Sequence, residues 1–137
     1  MRPTLLSLAL ALAVAPMLGC GGPSRYRAQG TPNAPGVDAE ILVGKTQGAQ
    51  QIDLVVEHLT EPDRLTPGAT QYAVWVVPEG GQPIYSGALA VDRGSRVGRL
   101  RATTPYERFD VLVTAEPDTF SPRAWPTGAL VLERRVP

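Results

Sequence analysis

The chain has 137 residues, which is enough for one domain of ordinary size but too few for two. Its 13 basic and 13 acidic side chains give a formal net charge of zero. This balance argues against nucleic acid as a partner, because phosphate binding requires a basic excess on one face. The single cysteine excludes an intrachain disulfide and a zinc site built from several cysteines.

Residues 1–19 have the organisation of a secretory signal peptide. Arg2 provides a positive start, and the run over 5–18 is almost wholly apolar. This run is shorter than the roughly 20 residues that a membrane-spanning helix needs. We therefore predict a signal peptide over 1–19 that is removed on export.

The apolar run ends at Met17-Leu18-Gly19-Cys20, which resembles the lipobox of bacterial lipoproteins, although Met17 replaces the usual leucine. The resemblance implies cleavage before Cys20, a diacylglycerol on its sulfur and an acyl chain on its amine. Several acyl chains together give stable anchoring in a bilayer. Cys20 is therefore the predicted lipid-attachment site, and we expect no cofactor other than this lipid. The alternative is an ordinary signal peptide followed by an incidental cysteine.

The same resemblance predicts where the protein resides. A lipid-anchored protein is expected in the bacterial cell envelope, with the membrane as a partner through its anchor. Gly21 stands where an aspartate favours retention at the inner membrane of Gram-negative bacteria. Because glycine and not aspartate stands at position 21, we expect the protein at the periplasmic face of the outer membrane if the envelope is Gram-negative.

Residues 20–37 are predicted to be the lipidated cysteine and a flexible tether. The segment is rich in glycine and proline and has no evident hydrophobic period. Such a segment buries too little apolar area to offset the entropy lost on ordering. A random coil of this length reaches roughly 20–25 Å, so we expect the domain to sit just off a bilayer.

Residues 38–137 show a hydrophobic period of 2, which predicts half-buried β-strands. The clearest examples are the inward series Ile52, Leu54, Val56 and the inward series Phe109, Val111, Val113, Ala115. The pattern gives about seven strands and no convincing helix, which favours an all-β, immunoglobulin-like sandwich of antiparallel strands. An open barrel of about six or seven strands is the alternative. Trp75 on the third strand and Tyr106 before the sixth occupy positions where such sandwiches bury a tryptophan and a corner tyrosine.

Short motifs between Tyr72 and Leu132 resemble the extracytoplasmic C-terminal domain of anti-sigma-K factors. The motifs read Tyr72-Ala73-Val74-Trp75-Val76-Val77-Pro78-Glu79-Gly80-Gly81, Gly87, Phe109-Asp110-Val111-Leu112-Val113-Thr114-Ala115-Glu116-Pro117 and Pro126-Thr127-Gly128. The resemblance implies an exported β-sandwich. The family's zinc-binding helical domain, which holds the sigma factor, and its transmembrane helix have no counterpart here, so sigma-factor binding is not expected.

Few residues suggest catalysis or metal binding. His58 is the only histidine, and it follows Glu57, whose side chain points to the opposite face of a strand. The acidic pairs Glu61/Asp63 and Glu116/Asp118 have too few oxygen ligands for a calcium loop. No serine lies in a nucleophile-elbow motif. We predict no catalytic residue and no metal ligand.

The one cluster of like charge comprises Arg93, Arg96, Arg99 and Arg101. Arg99 and Arg101 share a strand face, so an anionic polymer could contact them, but the favoured interpretation is a solvated outer face that protects a sheet edge. The sequence as a whole predicts a non-enzymatic interaction or structural module with an envelope protein as its partner. The alternative is an accessory sensor in envelope or anti-sigma-type signalling.

Overall fold

A computed structural model of the chain describes residues 21–118 and 125–137. The predicted signal peptide over 1–19 and the predicted lipid-attachment residue Cys20 lie outside the described residues. The described part of the chain contains nine β-strands and a short 3-10 helical turn at Pro62–Arg64, and no helix in it is long and apolar enough to cross a bilayer. In chain order the strands are β1 (Ser24–Gln29), β2 (Asp38–Thr46), β3 (Ala49–Glu57), β4 (Gln71–Pro78), β5 (Ile84–Ala88), β6 (Ala90–Asp92), β7 (Val97–Thr104), β8 (Phe109–Glu116) and β9 (Leu130–Val136).

The strands form two antiparallel sheets, which confirms the predicted all-β sandwich and excludes the open barrel. Sheet A has five strands in the order β1-β2-β3-β7-β6, and sheet B has four in the order β5-β4-β8-β9. Without β1, these orders are those of an immunoglobulin-like sandwich. The sequence predicts fewer strands, because the glycines and prolines around β1 indicate a tether and the alternation runs without a break from β5 into β6. The chain in fact passes from sheet B to sheet A between them, just after Gly87, whose φ of 135° suits glycine.

The hydrophobic core lies between the sheets and contains the side chains that the alternating pattern placed inward. Sheet A contributes Ile41, Val43, Ile52, Leu54 and Val56, and sheet B contributes Tyr72, Val74, Val76, Phe109, Val111, Val113 and Ala115. β-branched residues dominate this set because they pack well on a pleated surface. The period-2 pattern therefore predicted the core correctly.

The prediction of a flexible tether over 20–37 is wrong for most of that segment. Ser24–Gln29 pairs along its whole length with β2 and forms the edge strand β1 of sheet A. Tyr26 and Ala28 face the core, while Arg25 and Arg27 point outward. The alternation in β1 has a period of 2, but it covers only six residues. The glycines and prolines on both sides indicate a loop, so the sequence does not predict this strand.

The loop over 30–37 is also fixed, because it closes the side of the sandwich between β1 and β9. The Thr31 amide donates to the Val131 carbonyl at 2.8 Å, and the Thr31 hydroxyl donates to the Leu130 carbonyl. Ala34 and Val37 are buried in the core. Gly30 is required here, since a Cβ would lie 2.0 Å from the Ala34 carbonyl oxygen. The folded domain therefore begins near residue 24 rather than at residue 38.

Two aromatic positions differ from the sequence expectation. Trp75 is fully buried as predicted, but it lies outside the cluster of core residues between the sheets. Alternation along β4 places it on the outer face of sheet B, opposite Val74 and Val76. Tyr106 is 40% exposed and is not a buried corner tyrosine. Tyr72 takes a comparable role, because its buried hydroxyl donates to the Thr60 carbonyl in the preceding loop.

Strand directions define two ends of the sandwich. The near end holds residue Gly21, the turn between β2 and β3, the turn between β7 and β8, and the last residue Pro137. The far end holds the loops between β1 and β2, between β3 and β4, and between β6 and β7. It also holds the described part of the connection between β8 and β9.

Candidate functional site

The far end contains a cleft of about 420 Å³ between the β3–β4 loop and the β6–β7 turn. Its lining combines apolar and hydroxyl groups with charged side chains, as small binding sites do. The lining residues are Leu59, Thr60, Glu61, Pro62, Arg64, Thr70, Gln71, Tyr72, Val91, Arg93 and Arg96. The lining therefore includes three arginines and one glutamate.

Arg96 fastens the two sides of the cleft together. Its Nε donates to the Leu59 carbonyl at 2.9 Å, and one terminal nitrogen donates to the His58 carbonyl at 3.2 Å. The Leu59 amide returns a hydrogen bond to the Arg96 carbonyl at 3.0 Å. Both His58 and Arg96 have positive φ values, 61° and 58°, which side-chain-bearing residues seldom adopt. The reciprocal hydrogen bonds hold this backbone conformation, so the cleft has a fixed wall.

Arg64 and Arg93 differ from Arg96 because neither guanidinium forms a hydrogen bond or an ion pair with any other described residue. Asp92, the neighbour of Arg93, accepts instead from the amide of Gly94 at 2.9 Å and so caps its own turn. Glu61, the carboxylate in the lining, also forms no ion pair within the described residues. Among residues 21–118 and 125–137, the cleft thus has two arginines without a partner for their guanidinium groups beside one glutamate.

Tyr72 forms the floor of the cleft and stays protonated at neutral pH. Burial raises the pKa of its hydroxyl to about 12, and the negative charges of Glu61 and Asp63 act in the same direction. The hydroxyl proton is used in the hydrogen bond to the Thr60 carbonyl. Tyr72 therefore holds the β3–β4 loop against the start of β4.

The other candidates from the sequence do not assemble into a site. The Nδ1 atom of His58 lies 3.4 Å from an Asp38 carboxylate oxygen, and both side chains are more than half exposed. No hydrogen bond joins His58 to a serine hydroxyl in the described residues. Across residues 21–118 and 125–137, no group of three or more histidine, cysteine and acidic residues could hold a metal ion.

The arginine cluster that the sequence indicated is divided between two places. Arg93 and Arg96 line the far-end cleft, where Arg64 joins them from a distant part of the sequence. Arg101 lies on the outer face of sheet A and forms an ion pair with Asp53. The hydrogen bond from Arg101, with a second one from Gln51, holds the pKa of Asp53 below its ordinary value, although burial opposes this shift.

A buried polar network on the outer face of sheet B contains Glu116, whose side chain is almost fully enclosed. One carboxylate oxygen accepts from the Thr114 hydroxyl at 2.8 Å and from the amides of Thr127 at 2.9 Å and Gly128 at 3.0 Å. The other oxygen accepts from the Thr127 hydroxyl at 2.7 Å. The indole nitrogen of Trp75 donates to the Thr114 hydroxyl oxygen at 2.9 Å and extends the network.

Hydrogen-bond donors stabilise the negative charge of Glu116. No basic side chain among the described residues forms an ion pair with it. Burial raises its pKa, but the hydrogen bonds from Gly128, Thr127 and Thr114 lower it by more, so the pKa lies below its ordinary value. Gly128 is required at this point, because a Cβ would lie 1.7 Å from the Ala115 carbonyl oxygen.

The motifs quoted for the anti-sigma-K resemblance supply the members of this network. Trp75 comes from the Tyr-x-x-Trp strand, Thr114 and Glu116 from the Thr-x-Glu-Pro strand end, and Thr127 and Gly128 from the Pro-x-Gly motif. In this chain these motif residues therefore hold the β8–β9 connection against sheet B. Tyr72, the first residue of the Tyr-x-x-Trp motif, lies apart from this network and lines the far-end cleft.

Comparison of the chain with protein-family models, with curated proteins and with solved structures finds no match.

Proposed function

We propose that this protein is a lipid-anchored component of the bacterial cell envelope that acts as a non-enzymatic binding module. The observation that carries the proposal is the position of Cys20, the only cysteine, directly after an apolar run and Gly19. A lipobox requires a cysteine at this point, whereas an exported protein gains nothing from an unpaired thiol that oxidants can attack. Gly21 favours the outer membrane, facing the periplasm, in a Gram-negative cell.

The direction of β1 supports this proposal. In a sandwich without β1, the chain would begin with β2 at the far end, beside the loops that line the cleft. Because β1 runs antiparallel to β2, it brings the start of the domain to the near end instead. A lipid on Cys20 would therefore hold the near end at the membrane and direct the cleft away from it.

The far-end cleft is the proposed binding surface, and an envelope protein with an acidic segment is the proposed partner. Arg64 and Arg93 supply guanidinium groups that pair well with carboxylates in planar geometry. Arg96 differs from these two, since its Nε and one terminal nitrogen already donate to the Leu59 and His58 carbonyls.

Lipid attachment is tested with the full-length protein expressed in a Gram-negative host supplied with labelled palmitate. We expect incorporation of the label and partitioning into the detergent phase. Cys20→Ser should abolish both, while the matched control Ser24→Ala should leave both unchanged. Normal labelling of the Cys20→Ser variant would contradict the lipid anchor.

The binding surface is tested by photocross-linking in intact cells from single positions that carry a photoreactive residue. Position 70, an exposed threonine in the lining of the cleft, should form a discrete protein adduct, whereas position 99, on the outer face of sheet A, should not. Arg64→Glu should remove the adduct formed from position 70. An adduct of equal yield from position 99 would contradict a binding site at the far end.

A second function, as an accessory sensor in envelope or anti-sigma-type signalling, is favoured only by the resemblance of the motifs between Tyr72 and Leu132. It predicts that deletion of the gene changes the expression of genes controlled by an envelope-responsive sigma factor. Unchanged transcript levels of all such genes after deletion would reject it.

A further inference from the structure

The length of chain between the proposed anchor and the folded domain is very short. Only Gly21-Gly22-Pro23 separate Cys20 from the first residue of β1. Even when fully extended, the four steps from residue 20 to residue 24 span at most about 14 Å. The near end of the sandwich therefore cannot lie far from a bilayer that holds the lipid of Cys20.

The near end also exposes apolar side chains. Ile84, the first residue of β5, is 44% exposed, and Tyr106, in the turn between β7 and β8, is 40% exposed. Both line a groove of about 480 Å³ between β5 and the end of β7. The β7–β8 turn continues from this groove to a second cleft, where Glu107 lies with Gly21 and Pro137. The groove and the start of the described chain thus belong to the same end of the molecule.

The charges near this end largely cancel. Three basic side chains lie beside three acidic ones: Lys45, Arg108 and Arg135 with Glu79, Glu107 and Asp110. Arg108 lies 3.5 Å from a Glu79 carboxylate oxygen. Because the near end has little net charge, anionic headgroups attract it only weakly. Contact with a bilayer therefore has to come from the apolar and aromatic side chains.

We propose that the near end of the sandwich rests on the bilayer surface, with Tyr106 and Ile84 in the interfacial region. This inference rests on the proposed lipid anchor. Tyrosine suits this position because its ring is apolar and its hydroxyl can remain hydrated. Two side chains alone give weak affinity, but the lipid on Cys20 makes the contact intramolecular and raises the effective concentration of the surface to about the millimolar range. The contact fixes the orientation of the domain, so that the far-end cleft faces away from the membrane.

The test uses the acylated protein in vesicles of phosphatidylcholine that contain a spin-labelled lipid quencher. Once the thiol of Cys20 carries lipid, a cysteine introduced by substitution is the only free thiol. Tyr106→Cys and the control Val91→Cys each receive one environment-sensitive fluorophore. Val91 is a matched control, because it is 39% exposed and lies on β6 towards the far end.

We expect the fluorophore at 106 to lose about half of its emission or more, because interfacial side chains lie roughly 5–10 Å into the headgroup and acyl boundary. The fluorophore at 91 should lose less than about a tenth, since it stays in water. Quenching at 106 no stronger than at 91 would overturn the inference. A label introduced by Ile84→Cys provides a second reading at the near end and should behave like the one at 106.

Flotation of the same samples distinguishes a failure of the surface contact from a failure of the lipid anchor. Protein that floats with the vesicles but shows equal quenching at 106 and 91 overturns only the surface contact. Protein that fails to float overturns the anchor and the contact together. Adding phosphatidylglycerol should leave the difference between 106 and 91 unchanged, whereas a difference that appears only with this anionic lipid contradicts an apolar contact.

Discussion

The outer faces of the two sheets differ although the strands of both sheets alternate in the same way. The outer face of sheet A carries exposed ion pairs, such as Arg25 with Glu40 at 3.7 Å and Arg101 with Asp53. The outer face of sheet B holds Trp75 and Glu116, which are 0% and 1% exposed. One face is solvated, and the other contains a second buried layer outside the sandwich core.

This difference shows that burial in this molecule does not stop at the space between the sheets. A buried carboxylate without a basic partner is costly unless its oxygens are saturated with donors. The four hydrogen bonds to Glu116 meet that requirement, and two of them come from backbone amides across the β8–β9 connection. We therefore expect substitutions of the buried residues on the outer face of sheet B to destabilise the fold strongly, and those of the exposed ion pairs on the outer face of sheet A to have little effect.

The two tryptophans provide the largest expected contrast. Trp75→Ala removes a fully buried ring and leaves the Thr114 hydroxyl without its indole donor, so it should lower the free energy of unfolding by about 3–5 kcal/mol. Trp125→Ala is the matched control, because Trp125 is 57% exposed, and it should change stability by less than about 0.5 kcal/mol. Urea unfolding followed by circular dichroism measures both. If both substitutions lowered the free energy of unfolding by the same amount, the burial of Trp75 on the outer face of sheet B would not stabilise the fold.

Glu116→Ala tests the polar half of the buried layer. It deprives the Thr127 and Gly128 amides of their acceptor, and we expect a loss of about 2–3 kcal/mol. The control is Asp53→Ala on sheet A, which removes one member of an exposed ion pair and should cost about 0.2–1 kcal/mol. If both alanine variants unfold at the same urea concentration, the hydrogen bonds to Glu116 do not stabilise the fold as argued.

The charge of Glu116 also makes stability depend on pH. Because the folded-state pKa lies below its ordinary value, the folded state favours the ionised carboxylate. This contribution is fully present above the ordinary pKa of 4.5 and is lost as the pH falls through the folded-state pKa. Glu116→Gln should therefore show a smaller decrease in urea midpoint between neutral and acidic pH than the unsubstituted protein. An equal decrease in both proteins would assign the acid sensitivity to other carboxylates.

The sequence was sufficient for the sandwich because alternation is a local signal. The strand β3 is predicted from neighbouring residues alone, by the period-2 spacing of Ile52, Leu54 and Val56. Glu116 gave no such signal, since an outward glutamate at a strand end is usually solvated, and its donors Thr127 and Gly128 follow only after a long connection. The far-end cleft was missed for the same reason, because folding brings Arg64 to Arg93 and Arg96 from a separate loop.

The edge strand β1 shows how composition can conceal a local signal. Ala28→Asn places an amide in the core next to β2 and should lower the free energy of unfolding by about 1–3 kcal/mol. Arg27→Asn changes the neighbouring outward position and should stay within about 0.5 kcal/mol. Urea unfolding distinguishes the two. A tether that did not belong to the fold would make both substitutions neutral.

The smallest expected effect is the coupling between Arg101 and Asp53 on the outer face of sheet A. A double-mutant cycle with Arg101→Ala and Asp53→Ala should give a coupling energy of about 0.2–1 kcal/mol, because solvent screens exposed ion pairs. The coupling should shrink further in high salt, where screening is stronger. A salt-independent coupling as large as the loss caused by Glu116→Ala would mean that this pair is shielded from water in solution. In that case both sheets would carry a buried polar group on their outer faces, and the contrast between a solvated and a buried face would no longer hold.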